Sequence, residues 1–465
     1  ESKLTIVADL QEWESEWVIN SEKGFIYFPA PRSISSSSGD DEGSRERFSI
    51  TLNLSNENTL YDSAEISYYT QETEQSQITV QNQVSFFGGM RAPPTPTMRI
   101  RDFDFNQSID GFTFEAYKSA GDYQMIYGLD IENTETERPR MLTEMNLITG
   151  MSTNIVDGET YPNKTFPDSE TKRKALFFNN RFGLSDYSVL TLGFRYDDYE
   201  LNTSPDLLLS NANILSYQIN NTKDSAFSLK LGYLQDLSEN LTGFVQYAEG
   251  FKAPNYETSN TVFTNYLYFY TVTPNPNLES EESDTLEMGL RGSSKNDSWE
   301  LAIYRSEVEG FINPQIVGFN RGLGIYQYQN ADNVEIQGIE FDYKRSLNEQ
   351  LSFNLAAAIS SGDLFEDNAK YPLSAIDPRE LILGLNWIPS DMFSLQALLT
   401  IAGKSEDNLK EVCLNNDCWP RVKTSGYSLL DIFASYIPNE NIEFRFAVEN
   451  VTDKKYLRWA SVSEL

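Results

Sequence analysis

The sequence predicts an all-β protein, a transmembrane antiparallel β-barrel. Three observations carry this. Apolar and polar residues alternate with period two along most of the chain. The connections between the alternating segments sort by length, short then long. Phe, Tyr and Trp make up 13% of the 465 residues, while hydrophobic residues in all reach only 40%. That balance suits a wall with one face in lipid and one in water better than a chain folded around a large dry core.

The alternation is clearest near the end of the chain. Ile442, Phe444, Phe446 and Val448 share one face, opposite Glu443, Arg445 and Ala447. Leu286, Met288 and Leu290 stand against Glu287 and Arg291, and Leu351, Phe353, Leu355 and Ile359 against Ser352 and Asn354. Earlier copies are Phe48, Ile50, Leu52 and Leu54, then Tyr123, Met125, Tyr127, Leu129 and Ile131. A helical period is nowhere sustained. Roughly twenty strands are expected, many near the length of about 9–11 residues that a tilted membrane-spanning strand needs. From residue 225 onward, short turns at 238–240, 292–296, 347–349, 389–391 and 438–440 alternate with long loops at 250–283, 307–332, 361–378 and 404–424. Short turns on one side and long loops on the other mark an outer-membrane barrel, short side periplasmic. A soluble sandwich has no reason to sort its loops. The polar run 33–43 reads as a flexible loop.

Charge and missing residue types narrow the function. Lys plus Arg number 36 and Asp plus Glu 69, a formal charge of −33, with no histidine. A nucleic-acid partner is therefore not expected. A Ser-His-Asp triad, a His-bound zinc and a His-ligated haem cannot be built from this chain alone. No run of 18 apolar residues offers a transmembrane helix. Cys413 and Cys418 are the only cysteines. Without further metal ligands they read as a small loop disulfide in an oxidising compartment. The chain begins at Glu1, and its final strand would end on the long-loop side. Since both termini of such barrels normally lie in the periplasm, a fragment lacking a returning strand is expected.

Two boxes then stand out. Phe251, Lys252, Ala253 and Pro254 form the first; Asn275, Pro276, Asn277 and Leu278, followed by Glu279 and Glu281, form the second. In this order they resemble the TonB-dependent outer-membrane receptors of the haem, haemoglobin, transferrin and lactoferrin class. The resemblance extends to Tyr328-Gln-Asn330, to Ile336-Gln-Gly-Ile-Glu340 and to Asn450-Val-Thr-Asp-Lys-Lys-Tyr456. It implies a partial receptor barrel domain over 1–465, of the 22-stranded type, with the plug domain not present and the last strand missing. It implies binding and import of haem or another iron-bearing ligand, with energy from the TonB complex acting through the plug. Outer-membrane lipid and a haem, haemoprotein or siderophore ligand would be the partners, in the outer membrane of a Gram-negative cell. No covalently bound cofactor and no catalysis are expected; haem or a ferric chelate would be cargo. A siderophore or other nutrient receptor of the same architecture is the first alternative. A passive porin and a soluble β-rich adhesin are alternatives of other classes.

The loop between the boxes holds Tyr256, Phe263, Tyr266, Tyr268, Phe269 and Tyr270. In haem-using relatives this loop supplies a histidine to the iron. Here tyrosinate would have to substitute, from Tyr266, Tyr268 or Tyr270, with Lys252 and Arg321 as the nearby cations. The plainer reading is that Tyr266, Tyr268 and Tyr270 continue a strand into an aromatic girdle or pack within the loop, and contact with a flat apolar ligand stands between the two. The acidic cluster Glu279, Glu281, Glu282 and Asp284 reads as solvated outer charge. Glu300, Glu340, Asp342 and Lys344 read as a wet inner wall.

Overall fold

Backbone pairing defines the architecture. The structure is a computed structural model that describes all residues except 1, 20–24, 27–30, 57–59, 87–90, 267–268, 321, 367–368, 406–411, 415–416, 420–421 and 463–465. Of the described residues, 74% lie in strands and 3% in helix. Ser2–Ile19 pairs with Arg32–Ser55, which pairs with Ser63–Ser85, and so on by antiparallel neighbours to Tyr427–Asn439 and Ile442–Val448. Each long strand thus lies beside the next in sequence, an up-and-down wall. Among the described residues its sheet holds 22 strands, and these include outer pieces as short as Ser152–Thr153 and Asn163–Lys164. The turns expected to be short are short: Glu239 and Asn240, Asp391 and Met392, and Glu440 and Asn441 each link a pair of long strands.

Side-chain alternation follows from the pleat. Ile303, Ile339 and Ile359 are cross-strand partners in one row and are 42%, 51% and 59% exposed. Phe194 stacks on Phe178 and on Phe227, with centroids 5.1 and 5.6 Å apart. These rings and branched chains face outward, as lipid requires. Positions one residue away are polar and paired: Gln246 Nε2 donates to Glu287 at 2.5 Å, and Arg291 meets Glu300 at 3.0 Å. Glu300, Glu340, Asp342 and Lys344 share this inner parity, as the sequence suggested. The dry clusters lie elsewhere, under the long loops. Ala331, Val334, Leu364 and Leu373 form one, with Phe311 and Ile376 against it; Leu142, Val156 and Tyr161 form another.

Two expectations are corrected. The 33–43 segment is not a flexible loop. It is the outer half of the strand Arg32–Ser55, paired on both sides. Its glycines explain how: a Cβ on Gly39 or Gly43 would meet the rings of Trp17 or Trp13 at 2.2 Å, so each glycine is the floor for a cross-strand indole. Several strands also exceed the expected span. Thr95–Ala120 has 26 residues, Arg32–Ser55 24 and Ser63–Ser85 23. At about 3.3 Å per residue these run far past the hydrocarbon layer and carry the sheet outward.

Replacing Ile339 by Arg places a charge mid-strand on the outward face. The folded barrel should lose about 2–4 kcal/mol, read from denaturant unfolding in lipid vesicles. Glu340→Gln, on the inner face of the same strand, should change that value little.

Candidate ligand-binding site on the outer side

The long strands bring a charged cluster together above the apolar band. Thr95–Ala120 pairs along its outer half with Pro139–Asn146, setting Arg99 opposite Glu144 and Phe103 opposite Arg140. A hairpin of Ile155–Val156 and Glu159–Thr160 turns through Asp157 and Gly158. Both turn residues have positive φ, 52° and 91°, as the two-residue Asp-Gly hairpin turn demands. That turn aims Asp157 at the arginines. Arg99 donates to Asp157 at 2.7 and 3.0 Å and to Glu144 at 2.5 Å, and Arg32 donates to Asp157 at 3.1 Å. Arg32 and Arg99 are both 3% exposed. Gln83 donates to Glu144 at 3.2 Å, while its own buried Oε1 has no partner among the described residues. Burial works against the charge on Asp157, but the hydrogen bonds and charges of Arg99 and Arg32 outweigh it and hold the carboxyl below its ordinary value.

Beside this network lies a less compensated patch. Arg140 sits 4.9 Å from the Phe103 ring, 5.3 Å from Phe263 and 5.7 Å from Tyr161. It reaches Glu159 only at 3.7 Å. Arg101 shares the parity of Arg99 and Phe103 and has no carboxylate in ion-pair contact among the described residues. Burial pushes the Tyr161 phenol and the Glu159 carboxyl upward. The result is one guanidinium group, that of Arg140, among three aromatic rings, with Arg101 two positions from Phe103 on the same strand face and the Glu159 carboxylate engaged by the Tyr161 hydroxyl at 3.0 Å. Lower on the inner wall a cavity of about 820 Å³ runs past Tyr69, Glu132, Arg173, Phe177, Arg195 and Lys252.

The boxes are placed as brackets for the outer loop. Phe251 and Lys252 end the strand Leu241–Lys252. Lys252 pairs with Glu281 at 2.6 Å, and Glu281 also accepts the Ile312 amide at 2.8 Å. Glu281 is 8% exposed, so it is a buried anchor and not solvated charge as expected. Ala253 leads to Pro254, which is buried and whose carbonyl accepts the Tyr199 hydroxyl at 3.0 Å. Asn275 donates to the Tyr328 carbonyl at 2.7 Å and accepts the Asn277 amide at 3.0 Å. Pro276 and Asn277 are exposed and Leu278 half-buried. Asn330 clamps the same bend through both Glu279 backbone groups, each at 2.9 Å.

Tyr266 and Tyr270 do not extend a wall strand, so for them the girdle half of that reading is corrected and packing within the loop stands. Tyr256 opens the short helix Tyr256–Asn260 and packs on Phe166 at 4.8 Å. Burial raises its phenol pKa, which opposes a phenolate there. Tyr266 lies in a turn, its ring against Gly158, where a Cβ would meet it at 3.0 Å. Tyr270 begins the strand Tyr270–Thr273 of a separate four-stranded outer sheet. Tyr268 and Arg321 lie outside the described residues. Cys413 and Cys418 face each other in register in a two-stranded ribbon of the 403–426 loop, while their side chains lie outside the described residues. The arginine cluster escaped the sequence reading. Asp157-Gly158 was its one local signal, a two-residue hairpin turn.

Asp157→Asn tests the cluster with the turn preserved, because Asn-Gly suits the same hairpin. Loss of the buried charge contacts should open the 155–160 hairpin by about 2–3 kcal/mol, seen as faster hydrogen exchange there and unchanged exchange in the wall. Acid should act in a defined window. The unfolded value for Asp is about 3.9 and the folded one lies below it. The Asp157 contribution is therefore fully present above that value and lost as pH falls through the lower, folded one. Proteolysis of the 138–167 loop should stay slow down to about pH 4 and accelerate only below it.

Known proteins share this architecture. The family model described as "TonB dependent receptor-like, beta-barrel" matches residues 7–451. The haemoglobin-haptoglobin utilization protein B of Neisseria meningitidis is 25% identical over 330 residues, 64% of this chain and 40% of that protein. The ferric enterobactin receptor PirA of Pseudomonas aeruginosa is 29% identical over 317 residues, 63% of this chain and 38% of its own length. These alignments thus span about two-fifths of the curated relatives. Among solved structures, the copper transporter OprC superposes with a TM-score of 0.68 at 15% identity, covering 97% of this chain and 67% of that one. The siderophore receptor PirA gives 0.53 at 16%, covering 96% and 78%. At such identities the superpositions speak for the fold, and the family match over nearly the whole chain identifies it: the protein belongs to the TonB-dependent receptor-like β-barrel family.

Proposed function

We propose that residues 1–465 are the barrel of an outer-membrane, TonB-dependent receptor that captures an anionic, iron-bearing organic ligand on its outer side. Import would draw energy from TonB through a plug domain outside this chain. The observation that carries the reading is Arg140 set among the rings of Phe103, Tyr161 and Phe263, with Arg101 on the same strand face two positions from Phe103. Guanidinium groups set among aromatic faces suit a ligand that is flat and negatively charged, because they supply hydrogen-bond donors and stacking planes together. A ferric chelate with aromatic oxygen donors has both properties. Relatives named for ferric enterobactin and for haemoglobin-haptoglobin support an iron-bearing cargo. Haem is the second reading, favoured by the box resemblance and by the haemoglobin-haptoglobin relatives. Without histidine, and with the Tyr256 phenol pushed up by burial, haem would be held between aromatic faces and by its carboxylates, not through its iron. The reading includes no covalent step.

The test uses the full-length receptor in detergent, titrated in parallel with a ferric catecholate and with haemin. Arg101→Gln should weaken the bound ligand about tenfold, the effect of losing one charge-assisted hydrogen bond. Tyr266→Phe should leave the haemin spectrum unchanged. A high-spin ferric spectrum lost in that variant would restore tyrosinate ligation. Absence of saturable binding by both ligands would reject an iron-bearing cargo and leave the barrel assignment intact.

A further inference from the structure

A second pocket, of opposite electrostatic character, lies in the outer sheet. The strands Phe263–Asn265, Tyr270–Thr273, Leu323–Asn330 and Ile312–Asn320 form that sheet in this spatial order. Val272 and Tyr326 are cross-strand partners, as are Pro314 and Tyr328, so these side chains and Tyr270 share one face. The rings meet at steep angles. Phe263 and Tyr270 have centroids 5.9 Å apart at 70°, Tyr270 and Tyr326 5.5 Å apart at 74°. Edge-to-face rings build corners, and here Tyr270 and Tyr326 wall a pocket of about 330 Å³ also lined by Tyr328, Val272, Pro314 and Glu257. Glu257 comes from the short helix Tyr256–Asn260 and is exposed, and no cation pairs with it among the described residues.

We propose that this pocket binds an organic cation, an alkylammonium or guanidinium group. Aromatic faces carry negative quadrupole potential and attract cations within about 6 Å of the ring centroid. Among the described residues the only ionisable group in the lining besides the tyrosine phenols is a carboxylate, and neither lysine nor arginine contributes. An anion would be repelled by Glu257 and by the ring faces, and a neutral group would gain apolar burial alone. The volume sits at the lower end of the range for ligand pockets, about 300–1,000 Å³, enough for a cationic head group. The pocket is therefore distinct in preference from the arginine patch of the inner wall. The cation has two possible sources, a free small molecule or a lysine or arginine side chain presented by a protein. The inference does not depend on the iron-bearing cargo proposed above.

Binding is read by saturation-transfer NMR on the full-length receptor in detergent. Choline is the probe and 3,3-dimethylbutan-1-ol its neutral isostere. Choline should bind saturably and at least tenfold more tightly than the alcohol. Glu257→Gln should weaken choline at least fivefold. Tyr326→Leu, which keeps apolar bulk but removes a ring, should do the same. Both variants are checked for the heat-modifiable mobility of a folded barrel. Acetyl-arginine amide and acetyl-lysine amide form a second arm: tighter binding than choline assigns the pocket to a protein side chain, weaker binding to a small molecule. Equal binding of choline and the alcohol, no binding of any cation, or folded variants with unchanged affinity would overturn the proposal.

Discussion

A backbone amide in hydrocarbon has no water to turn to, and every other property of this chain accommodates that fact. The solution is a ladder in which each long wall strand pairs with the next long strand in the chain, from Ser2–Ile19 to Ile442–Val448. Once the ladder exists, the pleat dictates the rest. Every second side chain faces lipid and the others face the interior, so isoleucines gather in rows while Glu287, Gln246, Arg291 and Glu300 pair across the inner wall. The excess of 33 negative charges is excluded from one face in the membrane and must crowd the interior and the outer side. Only there can carboxylates such as Glu144 and Asp157 gather around buried arginines.

What could be seen in the sequence was what local periodicity encodes. Alternation in 442–448 and 286–290, the tight turns and the long loops are properties of adjacent residues, and the structure follows them. The 33–43 segment misled because its composition is that of a loop. Its strand character comes from Trp13 and Trp17 on a neighbouring strand, whose rings cover Gly43 and Gly39. The arginine cluster was invisible for the same reason at longer range: Arg32 and Asp157 are 125 positions apart, Arg99 and Glu144 45. No window on the sequence joins them. The boxes were legible as motifs but not as mechanics. Pro254 matters for a carbonyl that Tyr199 finds, and Asn275 for a side chain that ties one loop to the backbone of the next.

The dry parts of the molecule are informative by their position. In a soluble protein they would lie at the centre. Here Leu142, Val156 and Tyr161 pack beneath an outer hairpin, and Val334 and Leu364 beneath an outer loop. Apolar burial within the chain thus serves chiefly to set the shape of the outer surface. Arginines, aromatic rings and loop sheet are held by small cores and buried ion pairs, so the shape of the outer surface is set within the chain itself.

The parallel pairing of Tyr270–Thr273 with Gly324–Gln327 joins two outer loops that are separate in sequence and in barrel position. Immunologically the two are one object. The face that carries Val272, Tyr326 and Pro314 exists only when both loops are present and in register. An antibody raised against that face recognises a conformational epitope, and a linear peptide copied from either loop presents half of it. Sequence drift in one loop is likewise constrained by the other, since a single inserted residue inside the paired segment would turn its aromatic side chains to the opposite side.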